Sequence, residues 1–304
     1  MTSDSAAPDP ADPVFISYRQ KDGTGVAGEL AWLLRAAGIP VWRDRDDLPP
    51  GDTEARLKQA IAGGISGGVL VTTPDVVNSR VVKTLEAPQL LELHRDHEVF
   101  ALGIVNSVKT EDGGTDYDAP DRLLEIRPGT LSGVDQRSAE RDGLLALIRG
   151  LVWHRIASLR KRIEATDPTF RLSLQTRNTP QVYDRTGDEL DIRLRPSDHE
   201  RLPSTEGLRD LKDTIGLLPD AVTRSGAHRL RVAGGAHLSV AFAIGAALPS
   251  SRIGHMDVID QQGATWASDG EARFIEQPQV QIADQGGDPS AITTGRPSVA
   301  VYVD

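Results

Sequence analysis

The feature that most constrains the fold of this chain is a pair of short apolar segments separated by one helical pattern. Residues 14–18 read Val-Phe-Ile-Ser-Tyr and residues 39–44 read Ile-Pro-Val-Trp-Arg-Asp, so both runs end in polar residues. Between them, apolar residues recur from Val26 to Ala37 at the spacing of one helix face, and Gly38 then ends the helix. A strand, a helix and a second strand in this order predict a parallel βαβ unit.

The polar residues that end these strands mark a candidate ligand site. The carboxyl ends of parallel strands share one edge of a sheet, and open α/β sheets bind their ligands in the crevice there. We therefore expect the following side chains to meet at that edge: Ser17, Tyr18, Arg19, Asp44 and Arg45.

Two later runs extend the same pattern. Residues 67–73 (Gly-Gly-Val-Leu-Val-Thr-Thr) and 99–105 (Val-Phe-Ala-Leu-Gly-Ile-Val) contain no charged residue, as is typical of central strands of parallel sheets. Residues 49–51 (Pro-Pro-Gly) predict a turn, and Asp52 is suited to cap a helix after it. The order predicts an α/β fold with a flavodoxin-like, doubly wound parallel sheet.

Composition excludes several classes of function. A formal charge of −10 on 304 residues argues against binding of DNA or RNA polymers, because phosphate binding needs basic surface. The absence of cysteine excludes disulfides and thiolate chemistry, and His94, His97 and His154 lack metal-ligand spacing, so we expect no metal site. No apolar run approaches the roughly 18 residues of a membrane helix, and residues 1–13 do not resemble a signal peptide. We predict a disordered leader, residues 1–13, on a cytoplasmic protein.

The opening strands resemble a TIR (Toll/interleukin-1 receptor) domain, whose bacterial members are often NAD+ hydrolases. Hydrolases of this family share a Ser-x-Trp-Cys-x-x-Glu stretch with the glutamate on a helix. Here residues 79–86 read Ser-Arg-Val-Val-Lys-Thr-Leu-Glu, so the glutamate comes one residue late and Trp and Cys are missing. Pro88 is compatible with a helix that starts near Thr84, which puts Glu86 in its first turn. The resemblance implies that Glu86 is the catalytic residue.

The implied reaction is cleavage of the bond between nicotinamide and ribose, with NAD+ as the substrate and no resident cofactor. Departure of nicotinamide neutralises its positive charge, and the transition state resembles an oxocarbenium ion that a carboxylate stabilises. The resemblance implies a set of NAD+-binding residues: Phe15, Ser17, Tyr18, Arg19, Trp42, Arg43, Asp44, Arg45 and Ser79. The structural alternatives are a helix-dipole partner for Glu86, a core position for Trp42, and a solvated charged loop at residues 43–47.

A long amphipathic helix links this region to the rest of the chain. Its apolar side runs from Leu144 to Ile163, Asp135 or Ser138 is suited to cap it, and residues 166–168 (Thr-Asp-Pro) end it. We therefore predict a TIR domain over residues 14–165 and a second domain over residues 166–304.

The second domain carries a glycine pair between an apolar strand and a helix. Residues 227–233 predict the strand, and residues 234–239 read Gly-Gly-Ala-His-Leu-Ser. Backbone N–H groups at such a turn can face a phosphate, although a purely structural turn is the alternative. This string, together with residues 253–258 and Trp266, resembles a SAVED domain, a Rossmann-type (CARF-like) sensor of cyclic oligonucleotides. The resemblance implies a ligand site built from Gly234, Gly235, His237, Ser239 and Trp266.

The roles implied for two of these residues have alternatives. Trp266 is suited to stack on a base, an interaction worth about 1–3 kcal/mol per base, or else is a core residue. His237 is otherwise a buried or helix-capping histidine.

A TIR domain followed by a SAVED domain resembles the TIR–SAVED effectors of cyclic-oligonucleotide antiphage signalling (CBASS). The resemblance implies that a cyclic oligonucleotide drives self-association and that the assembly switches on NAD+ cleavage. Head-to-tail contacts through one repeated interface give an open oligomer or filament. The alternatives are a non-enzymatic TIR scaffold and a TIR enzyme that makes a cyclic ADP-ribose signal. Because the second domain has length for one CARF-like half and residues 297–304 are strand-like, we expect a fragment or a pocket completed by a second copy.

Overall fold

The structure is a computed structural model that describes residues 8–43, 64–177, 187–199, 201–248, 253–260 and 262–268. The chain divides into two compact units, Met1–Asp269 and Gly270–Asp304, and every described residue belongs to the first. No helix within the described ranges has both the length and the apolar content needed to cross a lipid bilayer. The described part consists of two five-stranded sheets and the helices that pack on them.

The first sheet is entirely parallel, with the strand order β2-β1-β3-β4-β5. Its strands are Val14–Ser17 (β1), Val41–Arg43 (β2), Gly67–Thr72 (β3), Ala101–Asn106 (β4) and Asp135–Ser138 (β5). This is the order of flavodoxin-like folds, in which ligands bind between β1 and β3 at the carboxyl edge. The predicted doubly wound parallel sheet is therefore confirmed.

Four α-helices of the described residues accompany this sheet. They are Gln20–Ala36 (α1), Ala87–Asp96 (α2), Ala119–Leu123 (α3) and Arg141–Thr166 (α4). Gly38 follows α1 with a φ of 87°, and a Cβ at this position would lie 2.7 Å from Leu190 Cβ. Glycine therefore serves both the turn and the close approach of the second sheet. The predicted helix capped by Asp52 lies outside the described residues.

The cap predicted for α4 is wrong. Asp135 and Ser138 are the first and last residues of β5, and Glu140 is the residue before the helix. Because β5 is an edge strand with partly exposed side chains, polar residues are tolerated in it, and no apolar run marked it as a strand.

The second sheet has the order β10-β9-β8-β6-β7. Its strands are Thr169–Gln175 (β6), Leu190–Arg193 (β7), Arg229–Gly235 (β8), Met256–Ile259 (β9) and Thr265–Ala267 (β10). Strands β6 to β9 are parallel, and β10 is antiparallel to β9. The helices of this part are Thr205–Thr214 (α5), Leu218–Arg224 (α6) and Leu238–Ala247 (α7). A second α/β region with a mixed sheet therefore follows the first.

Helices α1 and α4 contribute to one hydrophobic core that both sheets share. Buried residues of this core include Ile16 and Val69 of the first sheet, Leu34 and Ile148 of the helices, and Leu172 of the second sheet. The opposite face of the first sheet packs on α2 through a separate cluster. The predicted domain boundary at residues 165–166 lies at the end of α4 and stays a prediction.

Arg155 of α4 is a fully buried cation that fixes the start of the described chain. Its guanidinium donates hydrogen bonds of 2.6–2.8 Å to four main-chain carbonyls, those of Pro10, Ala11, Asp12 and Glu189. Burial lowers the pKa of Arg155 to about 10, which leaves it charged at neutral pH. The expected disordered leader is thus wrong for residues 8–13, because a buried guanidinium holds them in place.

Replacement of Glu189 by glutamine will reduce the loss of stability that accompanies rising pH. Glu189 is buried, its Oε2 accepts the Arg171 N–H at 2.6 Å, and the guanidinium nitrogens of Arg171 and Arg162 lie 3.7 and 3.9 Å away. Burial raises the pKa of Glu189 above its ordinary value of 4.5. The folded chain then binds this proton more tightly than the unfolded chain, so this contribution is present below about pH 4.5 and is lost as pH rises through the raised pKa.

Urea unfolding of both proteins from pH 4 to pH 8 measures this effect. The free energy of unfolding of Glu189→Gln, relative to that of the natural chain, should increase with pH. A difference between the two proteins that stays constant across the range would contradict it.

Candidate functional site

The site lies at the carboxyl edge of the first sheet, where β1 ends beside a helical segment. The Ser17 hydroxyl donates a hydrogen bond of 2.5 Å to Oε2 of Glu86, which lies 69 positions further along the chain. Both side chains are buried, with 1% of Ser17 and 7% of Glu86 exposed. The structure thus brings the predicted catalytic carboxylate to the edge where ligands of such sheets bind.

The segment that carries Glu86 contains a π-helical turn. Helical structure begins at Arg80, widens to a π-turn over Val82–Glu86, and continues as α2. The Ala87 N–H bonds the Val82 carbonyl, five residues back. The predicted helix start near Thr84 is therefore wrong. Pro88 has no N–H to offer an α-helical partner, and the wider turn lies directly before it.

The π-turn lies in the segment whose glutamate comes one residue late. A π-turn spans one residue more than an α-turn, so it adds one residue to the helical path without adding a full turn. Seven positions separate Ser79 from Glu86, against six in the family stretch described above. With a π-turn in this longer segment, Glu86 lies at the edge of β1.

Ion pairs and hydrogen bonds join the residues that follow β1 to those that follow β3, beside this pair. Arg19, two residues after Ser17, contacts Asp75 through its main-chain oxygen at 2.6 Å and its carboxylate at 2.9 Å. Lys21 lies 3.3 Å from the same carboxylate, and Asp22 accepts the Asp75 N–H at 3.1 Å. Arg19 therefore contacts the segment after β3 and links it to the end of β1.

Three other predicted NAD+-binding residues pack inside the protein. Phe15 and Trp42 are 1% and 8% exposed, and their ring centroids lie 5.0 Å apart in the cluster beneath α2. Tyr18 is buried on the other face of the sheet, where a Cβ at Gly23 would lie 3.2 Å from Tyr18 Cβ. These aromatic rings therefore belong to the hydrophobic clusters on the two faces of the sheet.

The remaining predicted residues of the first site differ in how they are placed. Ser79 is half-buried, and its hydroxyl accepts the Val82 N–H at 3.4 Å at the start of the helical segment. Arg43 is the last residue of β2, and only its backbone is described. Asp44 and Arg45 lie outside the described residues.

Sequence reasoning missed three polar residues at the same edge. Thr72 ends β3 and Thr73 follows it, and within the described ranges their buried hydroxyls have no hydrogen-bond partner. Asn106 ends β4, where its amide donates to the Asp116 carbonyl at 2.6 Å and accepts the Val108 N–H at 2.9 Å. The sequence pattern that identified Ser17, a polar residue at the end of an apolar run, would also have identified these three residues.

The carboxyl edge of the second sheet brings His237 to the end of β6. The His237 N–H donates to Thr176 Oγ1 at 2.9 Å, and His237 Nδ1 lies 3.2 Å from the same oxygen. His237 is 3% exposed and precedes the first turn of α7. Ser239, in that first turn, is exposed. Thr176 is a residue of this edge that the sequence analysis did not select.

The two glycines of the predicted turn belong to β8 instead. Gly234 has a φ of 112°, and a Cβ on it would lie 2.4 Å from the Leu174 carbonyl oxygen of β6. Gly235 accepts the Thr176 N–H at 3.1 Å. The expected turn after residue 233 is therefore wrong, because pairing with β6 extends the strand. Glycine at position 234 is required by the close approach of the two strands.

Trp266 is not brought to this edge. It lies on β10 opposite Val258, which is level with Val232 of β8, three residues before the strand ends. Two strand spacings, about 9.5 Å, separate β10 from β8. The indole is 58% exposed, and its N–H donates to Asp260 at 3.0 Å, which holds the pKa of that carboxyl below its ordinary value.

A charge network joins the two regions between these edges. Arg195, two residues after β7, contacts Glu29 of α1 at 2.5 Å and Asp210 of α5 at 2.6 Å. Arg141 of α4 contacts Glu29 and also Asp210, the latter at 3.0 Å. Burial lowers the pKa of each arginine, but the hydrogen bonds that it donates to carboxylates raise its pKa above the ordinary value. The loop after β7 is thereby linked to the helix that starts beside Ser17.

Within the described ranges, no group of histidine and acidic residues is arranged to hold a metal ion.

Comparison with known proteins assigns the first region to a family. Residues 14–128 match the family model described as "TIR domain", a range that includes Ser17 and Glu86. No curated protein matches the chain. The solved "Structure of a metazoan TIR-STING receptor from C. gigas in complex with 2',3'-cGAMP" is similar, with 16% sequence identity and a TM-score of 0.35. The match covers 57% of this chain and 59% of the receptor chain, so the chain matches little more than half of that receptor's length.

Proposed function

From the TIR domain that residues 14–128 form, we propose that this protein cleaves the nicotinamide–ribose bond of NAD+ with Glu86 as its catalytic carboxylate. The observation that carries the proposal is the buried position of Glu86 at the carboxyl edge of the sheet, hydrogen-bonded to Ser17. Burying a charged carboxylate costs free energy. A carboxylate with this little exposure therefore indicates a functional role rather than a stabilising one.

The reaction needs one carboxylate and one water molecule. The electrons of the bond between ribose C1′ and the nicotinamide nitrogen leave with nicotinamide, which becomes neutral. The ribose is left with oxocarbenium character, which Glu86 stabilises more strongly in a water-poor site than it could in water. Water then adds at C1′ and releases a proton, giving ADP-ribose and nicotinamide.

We assign the second sheet to sensing a cyclic oligonucleotide. The support is the edge formed by Gly235, His237 and Ser239, where the N-terminal turn of α7 presents backbone N–H groups that favour anions. Trp266 lies outside this cluster, so its proposed stacking role requires a ligand that extends to β10 or a second copy of the chain.

We further propose that ligand binding promotes self-association, as a head-to-tail oligomer or filament, and that the assembly switches on NAD+ cleavage in cytoplasmic antiviral defence. Helix α7 supports self-association, since its ten residues carry no charge while Leu238 and Phe242 are 63% and 79% exposed. A helix that is apolar on all sides is normally covered by protein. On a chain of net charge −10, an uncharged face is where copies approach with the least repulsion.

A non-enzymatic TIR scaffold is the second candidate. The stretch before Glu86 lacks the Trp and Cys of the hydrolase pattern, and Phe15 and Trp42 pack in the core. A TIR enzyme that forms cyclic ADP-ribose would use the same site and differ only in its product.

One assay separates these functions. The full chain is incubated with NAD+, alone and with a panel of cyclic di- and trinucleotides, and nicotinamide and the ribosyl product are quantified by chromatography. We expect nicotinamide and ADP-ribose in the presence of one member of the panel. No nicotinamide release with any of them would contradict the enzymatic proposal and favour the scaffold, whereas cyclic ADP-ribose would replace hydrolysis by cyclisation.

A further inference from the structure

We infer that Ser17 is a positioning residue, which orients the Glu86 carboxylate toward the ribose of the substrate rather than binding NAD+ itself. This inference rests on the proposed function, and it replaces the substrate-binding role that the sequence analysis expected for Ser17. The geometry that points to it is the 2.5 Å hydrogen bond from Ser17 Oγ to Glu86 Oε2.

The Ser17 side chain is in a poor position to contact a ligand. Only 1% of the residue is exposed, and as the last residue of β1 it lies between its neighbours β2 and β3. A hydroxyl that is so fully enclosed acts through the group it touches, and that group is the Glu86 carboxylate.

A hydrogen bond from a hydroxyl to a carboxylate belongs to the stronger kind when the carboxylate is ionised. Bonds from a hydroxyl to a carboxylate are typically 2.5–2.7 Å long and about twice as strong as neutral ones. Such a bond stabilises the ionised form of Glu86, which is the form that an oxocarbenium-like transition state needs. It also fixes the side-chain rotamer at the end of a π-turn, where the backbone departs from regular α-helix.

The charged groups near this pair on the same elements already have partners. Lys83, three residues before Glu86, contacts Glu125 at 2.6 Å, and Arg19, two residues after Ser17, contacts Asp75 at 2.9 Å. Neither cation needs the Glu86 carboxylate for its charge balance. The Ser17 hydroxyl is a donor to Glu86, and its removal should change how this carboxyl ionises.

The test compares Ser17→Ala with two other variants. Ser17→Thr keeps the hydroxyl, and Ser66→Ala is the matched control. Ser66 is also buried, at 7% exposure, and its hydroxyl donates to the Asp12 carbonyl at 2.6 Å at the opposite edge of the sheet. All three variants are checked for folding by circular dichroism and thermal unfolding before kinetics.

For Ser17→Ala we expect kcat to fall about 10- to 100-fold with little change in KM. We also expect the acidic limb of the kcat–pH profile to move up by about one pH unit, because the ionised carboxylate loses a hydrogen bond that stabilises it. Ser17→Thr should restore both quantities, and Ser66→Ala should change neither. A rise in KM at constant kcat would overturn the inference, because it would make Ser17 a substrate contact. An unchanged pH limb would also overturn it.

A second measurement does not depend on activity. The Glu86 carboxyl is titrated by carbon-13 NMR in glutamate-labelled protein, and its signal is assigned by its absence from Glu86→Gln. We expect a higher pKa in Ser17→Ala than in the natural chain, and equal values would overturn the inference. If Ser17→Ala does not fold, Ser17→Thr takes its place: a Glu86 pKa equal to that of the natural chain is then expected, and a raised one overturns the inference. If no variant or natural chain releases nicotinamide but the pKa still shifts, the proposed function fails while the positioning role stands.

Discussion

Replacement of Glu86 by glutamine will lower nicotinamide release from NAD+ by about 10²–10³-fold, the loss typical when one electrostatic stabiliser of a transition state is removed. Glutamine has nearly the same shape, and its amide oxygen can still accept the hydrogen bond from Ser17. The fold should therefore be retained, while the negative charge that opposes the oxocarbenium ion is lost.

The matched control for this prediction is Glu92→Gln. Glu92 lies on α2, on the same helical segment as Glu86, but its side chain is exposed. Both variants are assayed with saturating NAD+ under the conditions that activate the natural chain. Glu92→Gln should keep the natural rate, and a Glu86→Gln protein that also keeps it would contradict the proposed mechanism.

Replacement of Arg155 by alanine will lower the free energy of unfolding by about 3–5 kcal/mol, the range seen when one partner is removed from a buried charged network. The variant loses hydrogen bonds to four main-chain carbonyls, and each carbonyl left buried without a donor costs about 1–3 kcal/mol. These losses are not additive, because part of the segment at residues 8–13 can detach and become hydrated.

Urea unfolding measured by circular dichroism tests this second prediction, with Arg160→Ala as its control. Arg160 is also on α4, but it is exposed, and its contact is the ion pair with Glu164 one helical turn away. Its removal should change stability by no more than about 0.5 kcal/mol. Equal losses in the two variants would show that Arg155 does not fix the start of the chain.

The first sheet could be predicted from the sequence because its signals are local. Two apolar runs of strand length, and between them apolar residues at helical spacing up to Gly38, predict the β1–α1–β2 unit. What could not be predicted is whether an apolar side chain of β1 faces a ligand or the core. Both faces of a central parallel strand are covered, so Phe15 and Ile16 point into two different cores and are both buried.

The position of Glu86 was predicted, but its setting was not. The register of the segment depends on a π-turn directly before Pro88 and on a hydroxyl 69 positions earlier in the chain. Neither produces a periodic pattern, because the first is a single irregular turn and the second is a contact between distant residues.

The second region was harder to predict because strand pairing decides its details. The glycine pair was predicted to form a turn, whereas in the structure pairing with β6 extends β8 through Gly235. Trp266 was grouped with His237 because the sequence resembles a SAVED domain. In the structure, antiparallel pairing of β10 with β9 places Trp266 level with the middle of β8. His237 lies at the carboxyl edge, but its partner Thr176 lies across the sheet and carries no signal of its own.

The central claim is that the Glu86 carboxylate meets the ribose of bound NAD+, and a structure of the Glu86→Gln chain with NAD+ tests it most directly. The variant should bind NAD+ and cleave it slowly, which allows the complex to be captured in the presence of the activating cyclic oligonucleotide. We predict that the nicotinamide ribose hydroxyls will lie about 2.6–3.2 Å from the side chain at position 86. NAD+ bound elsewhere, with its nicotinamide ribose out of reach of that side chain, would contradict the proposed function.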